Sequence, residues 1–190
     1  MERYVYHAST QKGLTKLYPR KSTHGEYVYA TNYIGIAAAY LGRWSDFDLA
    51  QGIKDERLFL VERYQGALEK IYSGKSGSIY KMSKDGFLED KTPFSGGEVV
   101  NPNEVDILEE LPVDDSYHCI KSLIENGDID FYKFPSRPNS IPSNDFDIIE
   151  KAARWIKLNP NGKAYSNFID LHPHLKSELD SQLGINPLFK

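Results

Sequence analysis

Cysteine is nearly absent: one, Cys119, in 190 residues. A single thiol excludes an intramolecular disulfide framework and a Cys-rich zinc site. Long apolar runs are missing too. No stretch approaches the roughly 18 apolar residues that span a membrane. The opening Met1-Glu2-Arg3-Tyr4 has no apolar run behind it of the kind a secretory signal needs. Nor does one sign of charge dominate: 23 Lys and Arg stand against 27 Asp and Glu, a net −4. Acidic residues outnumber basic ones by the same margin on either side of Leu111. Without a basic arm there is little to displace counterions from a polyanion, so non-specific nucleic-acid binding is not expected. A local basic groove is still compatible with this balance. The expectation is a cytoplasmic protein with no membrane partner.

What is present is aromatic: 13 tyrosines. Arg3–His7 and Glu26–Ala30 are short runs rich in Tyr and Val, a composition that suits strands. Leu58–Glu62 and Ala67–Tyr72 flank Gln65-Gly66 and read as a hairpin. Ser78–Met82, Glu98–Asn101 and Val105–Leu108 complete the strands. Ile34–Leu41 reads as a short helix capped by Thr31 or Asn32. Beyond Pro112 the pattern turns helical. Ser116–Asn126 is stopped by Gly127. Pro135, Pro138 and Pro142 make 131–143 an irregular connector. Asp145–Leu158 places Phe146, Ile149, Ala152, Ala153 and Ile156 on one face, with Asn144 or Ser143 as cap. Pro173–Leu183 closes the series. The fold class expected is α+β, with a β-rich core over 1–111 and a helical extension over 112–190 packed on it.

Three segments carry candidate chemistry. Tyr6-His7-Ala8-Ser9-Thr10 ends the first strand. Gly25-Glu26-Tyr27-Val28-Tyr29-Ala30-Thr31 leads into the helix that ends at Tyr40. Gly96-Gly97-Glu98-Val99-Val100 follows the Pro93-Phe94-Ser95 loop. Taken singly, each has a plain structural explanation: a hydrogen-bonding histidine, packed aromatics, an exposed strand carboxylate.

Together the segments resemble the ADP-ribosyltransferase fold, in the branch of diphtheria toxin and the poly-ADP-ribose polymerases with a His-Tyr-Glu triad. The likeness covers scattered blocks between residues 4 and 108. It implies a split antiparallel β-sheet core and NAD as substrate. It also implies transfer of ADP-ribose to an acceptor, a protein among the candidates. His7, Tyr29 and Glu98 would be the catalytic residues, and His7, Ala8, Ser9, Tyr27, Tyr29 and Tyr40 would hold the dinucleotide. Tyr27 and Tyr29 share a strand face, and either could fill the triad position. Ala8 stands where the family has glycine, at a site that acts through its backbone. Gly96 stands where arginine-directed members carry Glu or Gln, so an arginine acceptor gains no support.

These residue types suit that chemistry. Breaking the nicotinamide–ribose bond builds positive charge on the ribose, and a carboxylate such as Glu98 stabilises it. Tyrosine faces stack on a flat cationic ring. Histidine offers one donor and one acceptor to a ribose hydroxyl, and Ser9 offers its hydroxyl to the nicotinamide amide. No metal is required.

Two alternatives accompany this reading. An RNA 2′-phosphotransferase on the same fold also consumes NAD but relies on several arginines, for which Arg20, Arg43, Arg57 and Arg63 are available. A non-catalytic binding module would use the tyrosines and the proline-rich connector to hold a partner.

The remaining motifs have plainer readings. Gly74-Lys75-Ser76-Gly77 lacks P-loop spacing and reads as a turn. Glu62-Arg63 reads as a surface pair, and Glu104, Glu109 and Glu110 as a solvated acidic stretch. Cys119 reads as a buried helical thiol, 43–56 as a lid or surface crossing, and His172-Pro173-His174 as a helix cap or surface feature.

Overall fold

A computed structural model describes residues 3–22, 24–55, 57–89, 91 and 97–185. In chain order the elements are β1 (Tyr4–Ser9), β2 (Lys16–Leu17), β3 (Arg20–Ser22), β4 (Gly25–Thr31), α1 (Ile34–Ala39), β5 (Leu49–Lys54), β6 (Arg57–Glu62) and α2 (Ala67–Tyr72). They continue as β7 (Gly77–Ser83), β8 (Glu98–Asn101), β9 (Val105–Asp106), β10 (Glu109–Val113), α3 (Ser116–Glu125), β11 (Ile129–Tyr132), α4 (Phe146–Leu158), α5 (Ala164–Leu171), a 3-10 turn (Pro173–Leu175) and α6 (Lys176–Leu183). The class is α+β with antiparallel sheets. Among the described residues no helix is long and apolar enough to cross a membrane.

The chain divides into two compact units, and each is discontinuous. The first takes 1–43, 51–60 and 68–131, and the second takes 44–50, 61–67 and 132–190. This differs from a single cut after Leu111: α3 and most of β11 belong with the first unit, and two short upstream segments belong with the second.

The first unit holds a six-stranded sheet in the order β10-β7-β1-β4-β3, with β8 joined to β4. Alternation sorts the residues of β4. Val28 and Ala30 enter a core with Val5, Met82, Val99, Leu17 and Val105, while Tyr27 and Tyr29 face the other way. β1 pairs with β7 along its whole length, from Tyr4↔Ser83 to Ser9↔Ser78. Against β4, β1 is paired at Tyr6↔Thr31. α1 buries Gly35 through Ala39. Its N-cap is Tyr33, without a side-chain cap; Thr31 contributes differently, its hydroxyl accepting from the Tyr33 amide at 3.2 Å. α3 begins at Asp115, whose carboxylate accepts from the amides of His118 and Gly74 and is held below its ordinary pKa by those bonds. Cys119 is half-buried, and burial pushes its thiol up, away from nucleophilic use.

In the second unit α4, α5, the 3-10 turn and α6 pack Ile148, Ile149, Ala152, Ala153, Phe168, Leu175 and Leu179 together. Phe47 stands edge-on to Trp155 and Phe168, at 5.1 and 5.4 Å between ring centroids. Phe146, expected on the buried face of α4, is exposed, and Ile148 takes its place. Asp145 is the N-cap of α4, and the Asn144 side chain accepts from the Phe146 amide.

Other expectations change. Ala67–Tyr72 is a helix rather than a strand, with Ala67, Leu68, Ile71 and Tyr72 buried at helical spacing. The 43–56 segment carries strand β5. An additional helix, α5, precedes the final one. Glu62 and Arg63 are not a surface pair: they are 3% and 2% exposed. Glu62 accepts from the Phe134 amide, and Arg63 binds Asp145 and Asp147. Glu110 leaves the solvated acidic group as well, accepting from the Gly13 amide and the hydroxyls of Ser78 and Tyr80.

His172 follows α5 as its C-cap, and its ring is fully buried. Nε2–H donates to the Phe47 carbonyl at 2.8 Å, while Nδ1 has no partner among the described residues. Burial lowers its pKa below 6.5. The unfolded chain therefore takes up a proton that the folded one resists. The resulting stability is complete above the ordinary histidine range and is lost as pH falls below it. Thermal melts at neutral pH and near pH ~5 should show a loss that His172→Phe reduces. An identical loss in the variant would assign the acid sensitivity elsewhere.

Candidate active site

The first unit contains a cavity of about 550 Å³, within the range of small-molecule sites. Its position follows from the sheet. Past the Tyr6↔Thr31 pair, His7 Nδ1–H donates to the Tyr29 carbonyl at 2.8 Å, so a side chain takes an acceptor that a tight ladder would use for backbone. The wall includes His7 and Ala8 from β1, Tyr29, Ala30 and Thr31 from β4, Ile36, Ala37 and Tyr40 from α1 and its end, and Glu98 from β8. Five of the residues singled out in the sequence thus meet in one place: His7, Ala8, Tyr29, Tyr40 and Glu98.

Glu98 is positioned from two directions. It lies opposite Thr31, itself 4% exposed, at the end of the β4–β8 ladder. Just before it, the Gly97 carbonyl accepts from the Asn32 amide at 2.9 Å. Gly97 has φ +81°, and a Cβ there would meet the Tyr33 ring at 2.4 Å, so this approach requires glycine.

Charge in the site is set by burial and neighbours. Burial, aided by the charge of Arg20, lowers the pKa of His7 against the opposing effect of its bond to Tyr29. The ring is therefore neutral at neutral pH. With Nδ1 donating, Nε2 carries the lone pair and accepts. Tyr40 is 57% exposed, yet burial and then the Glu98 charge hold its phenol above the usual value. It stays protonated beside the carboxylate. Tyr29 donates its hydroxyl to the Gly25 carbonyl at 3.2 Å, which fixes its ring.

Two expected residues are not part of the wall. Ser9 Oγ accepts from the Gln11 amide at 3.1 Å and serves the turn after β1. Tyr27 stands edge-on behind Tyr29, with ring centroids 6.1 Å apart. A Cβ on Gly25 would strike the Tyr27 ring at 2.4 Å, so the ring lies across that glycine. Of the two tyrosines on this face, Tyr29 is the one at the cavity. Gly96 and the Pro93–Ser95 loop lie outside the described residues.

The sequence reading missed several wall residues: Tyr6, Ser22, His24, Thr31, Ile36 and Ala37. Tyr6 and Thr31 sit inside segments it had singled out. Ser22 and His24 belong to β3 and the turn after it, where no periodic pattern marks them. No protein-family model, curated protein or solved structure matches the chain.

Proposed function

We propose that the chain is an NAD-dependent ADP-ribosyltransferase that releases nicotinamide. The observation that carries this reading is the convergence of His7, Ala8, Tyr29, Tyr40 and Glu98, drawn from three separate stretches of sequence, on one cavity.

In the transfer, the bond between ribose C1′ and the pyridinium nitrogen breaks. Its electrons pass to the ring, which leaves as neutral nicotinamide. The acceptor's lone pair forms the new bond to C1′, and the acceptor gives up its proton. Positive charge grows on the ribose between these events. A Glu98 carboxylate accepting from the ribose 2′-hydroxyl stabilises that charge as it develops. The faces of Tyr29 and Tyr40 suit a flat cationic ring. His7 Nε2 accepts from a ribose hydroxyl, and the Ala8 backbone serves the carboxamide without needing a side chain.

The 2′-phosphotransferase alternative requires converging arginines. Of Arg20, Arg43, Arg57 and Arg63, none is in the wall. Arg57 donates to the Gly127 carbonyl, and Arg63 belongs to the second unit, where it binds Asp145 and Asp147. A binding module is less favoured by an open cavity that gathers a carboxylate, a neutral imidazole and two aromatic rings.

Titration calorimetry with NAD, together with chromatographic detection of nicotinamide, tests the proposal. Saturable binding with slow nicotinamide release is expected, since water can replace the missing acceptor. Absence of binding at millimolar NAD would overturn it.

A further inference from the structure

β3 is the terminal strand of the main sheet, and its three residues are exposed. Its register with β4 sets Arg20 opposite Tyr27 and Ser22 opposite Gly25. Residues directly opposed in an antiparallel pair lie on the same face, as do residues two apart along a strand. Arg20, Ser22, Tyr27 and Tyr29 therefore share one face, and Ser22 and Tyr29 line the cavity. Arg20 is the next position in that row, just beyond the wall. A second observation agrees: its charge reaches His7 and disfavours the imidazolium there.

Arg20 is also uncommitted. Arg57, Arg63 and Arg137 each hold a carboxylate or a carbonyl. Arg20 has no ion pair or hydrogen bond among the described residues, so its five N–H donors face solvent. The cavity is thereby polarised. Glu98 is the single carboxylate among its described wall residues, with Tyr40 beside it, while Ser22 and His24 line it from β3 and the turn after it, and Arg20 is the next position on that strand face.

We propose that Arg20 is a binding residue of this cavity for a diphosphate, assisted by the hydroxyl of Ser22 and the ring of His24. The identity of that diphosphate as part of NAD rests on the transferase reading. A ligand with a cationic ring at one end and an anionic bridge beyond it matches the polarity of the wall. Guanidinium is suited to the bridge because its planar fork meets phosphate oxygens in pairs.

The test compares wild type, Arg20→Gln and Lys21→Gln by calorimetry with NAD, ADP and nicotinamide riboside, which has no phosphate. Lys21 is the neighbouring exposed residue on the opposite strand face and controls for loss of one charge. Arg20→Gln is expected to weaken NAD and ADP by at least about tenfold, the scale of one charge-assisted contact. It should leave nicotinamide riboside unchanged, and Lys21→Gln should stay close to wild type. Equal weakening by the two substitutions would overturn the proposal, as would no loss in Arg20→Gln. ADP separates the two claims. If wild type binds ADP in an Arg20-dependent way but does not bind NAD, the diphosphate site stands and the transferase reading fails. If NAD is bound and cleaved equally well by Arg20→Gln, the transferase reading stands and the diphosphate site fails. If wild type binds neither, both fail.

Discussion

Glu98→Gln is expected to cut nicotinamide release by about two to three orders of magnitude while leaving NAD affinity within about threefold. The amide keeps the shape of the carboxylate and one acceptor oxygen, so a ground-state bond to a ribose hydroxyl survives. The negative charge does not survive, and the cation that requires it exists only on the way to products. The loss should thus fall on turnover rather than on binding. Local structure should be unaffected. Glu98 sits at the end of a four-pair ladder with β4, and the backbone bond from Asn32 to Gly97 secures the approach. Stopped-flow or discontinuous chromatographic assays at saturating NAD, with calorimetry on the same samples, give the two numbers. Unchanged turnover would remove Glu98 from the catalytic role. An equal loss of affinity would make it a binding residue only.

The second large effect is on stability. Arg63→Met should destabilise the protein by about 3–5 kcal/mol, the usual consequence of removing one partner from a buried ion pair. Arg63 is 2% exposed and Asp145 5%, with the guanidinium 3.1 Å from the carboxylate. Asp145 begins α4 with φ +54° and makes no capping bond with its side chain. Its carboxylate is committed instead to Arg63 and Arg137, the latter at 2.7 Å. Methionine fills the space but leaves that charge with one partner. Asp147, also paired with Arg63, is more exposed and can turn to water, which favours the lower end of the range. Urea denaturation measures the difference, and a change below about 1 kcal/mol would mean that Arg137 alone suffices.

The strands that carry His7, Tyr29 and Glu98 were legible in the sequence because their alternation is clear, while the choice of those residues rested on the resemblance. Val5 and the Tyr27–Tyr29 repeat identify β1 and β4, and Glu98-Val99-Val100 identifies β8. Short windows were harder. Ala67–Tyr72 contains Ile and Tyr after a Gln-Gly turn, so local composition suggests a hairpin. Only burial at 67, 68, 71 and 72 reveals the helix, and six residues are too few for a period to declare itself. β5 was obscured by the Ala and Gly in its run. The pairing of Arg63 with Asp145 joins positions 82 apart, and no neighbouring residue signals it. Ser22 and His24 reach the cavity through the pairing of β3 with β4, which one sequence does not specify.

Thr31 has a consequence for how this site can change. It is the residue at which three strands register, opposite Tyr6 on one side and Glu98 on the other. Strand parity at Thr31 therefore decides which β8 side chain the cavity receives. A slip of one position along β4 would substitute Gly97, with no side chain, or Val99, with an aliphatic one, for the carboxylate. Whatever else changes among descendants of this sequence, the carboxylate stays in the cavity only while Gly97 and the strand after it arrive in the same phase.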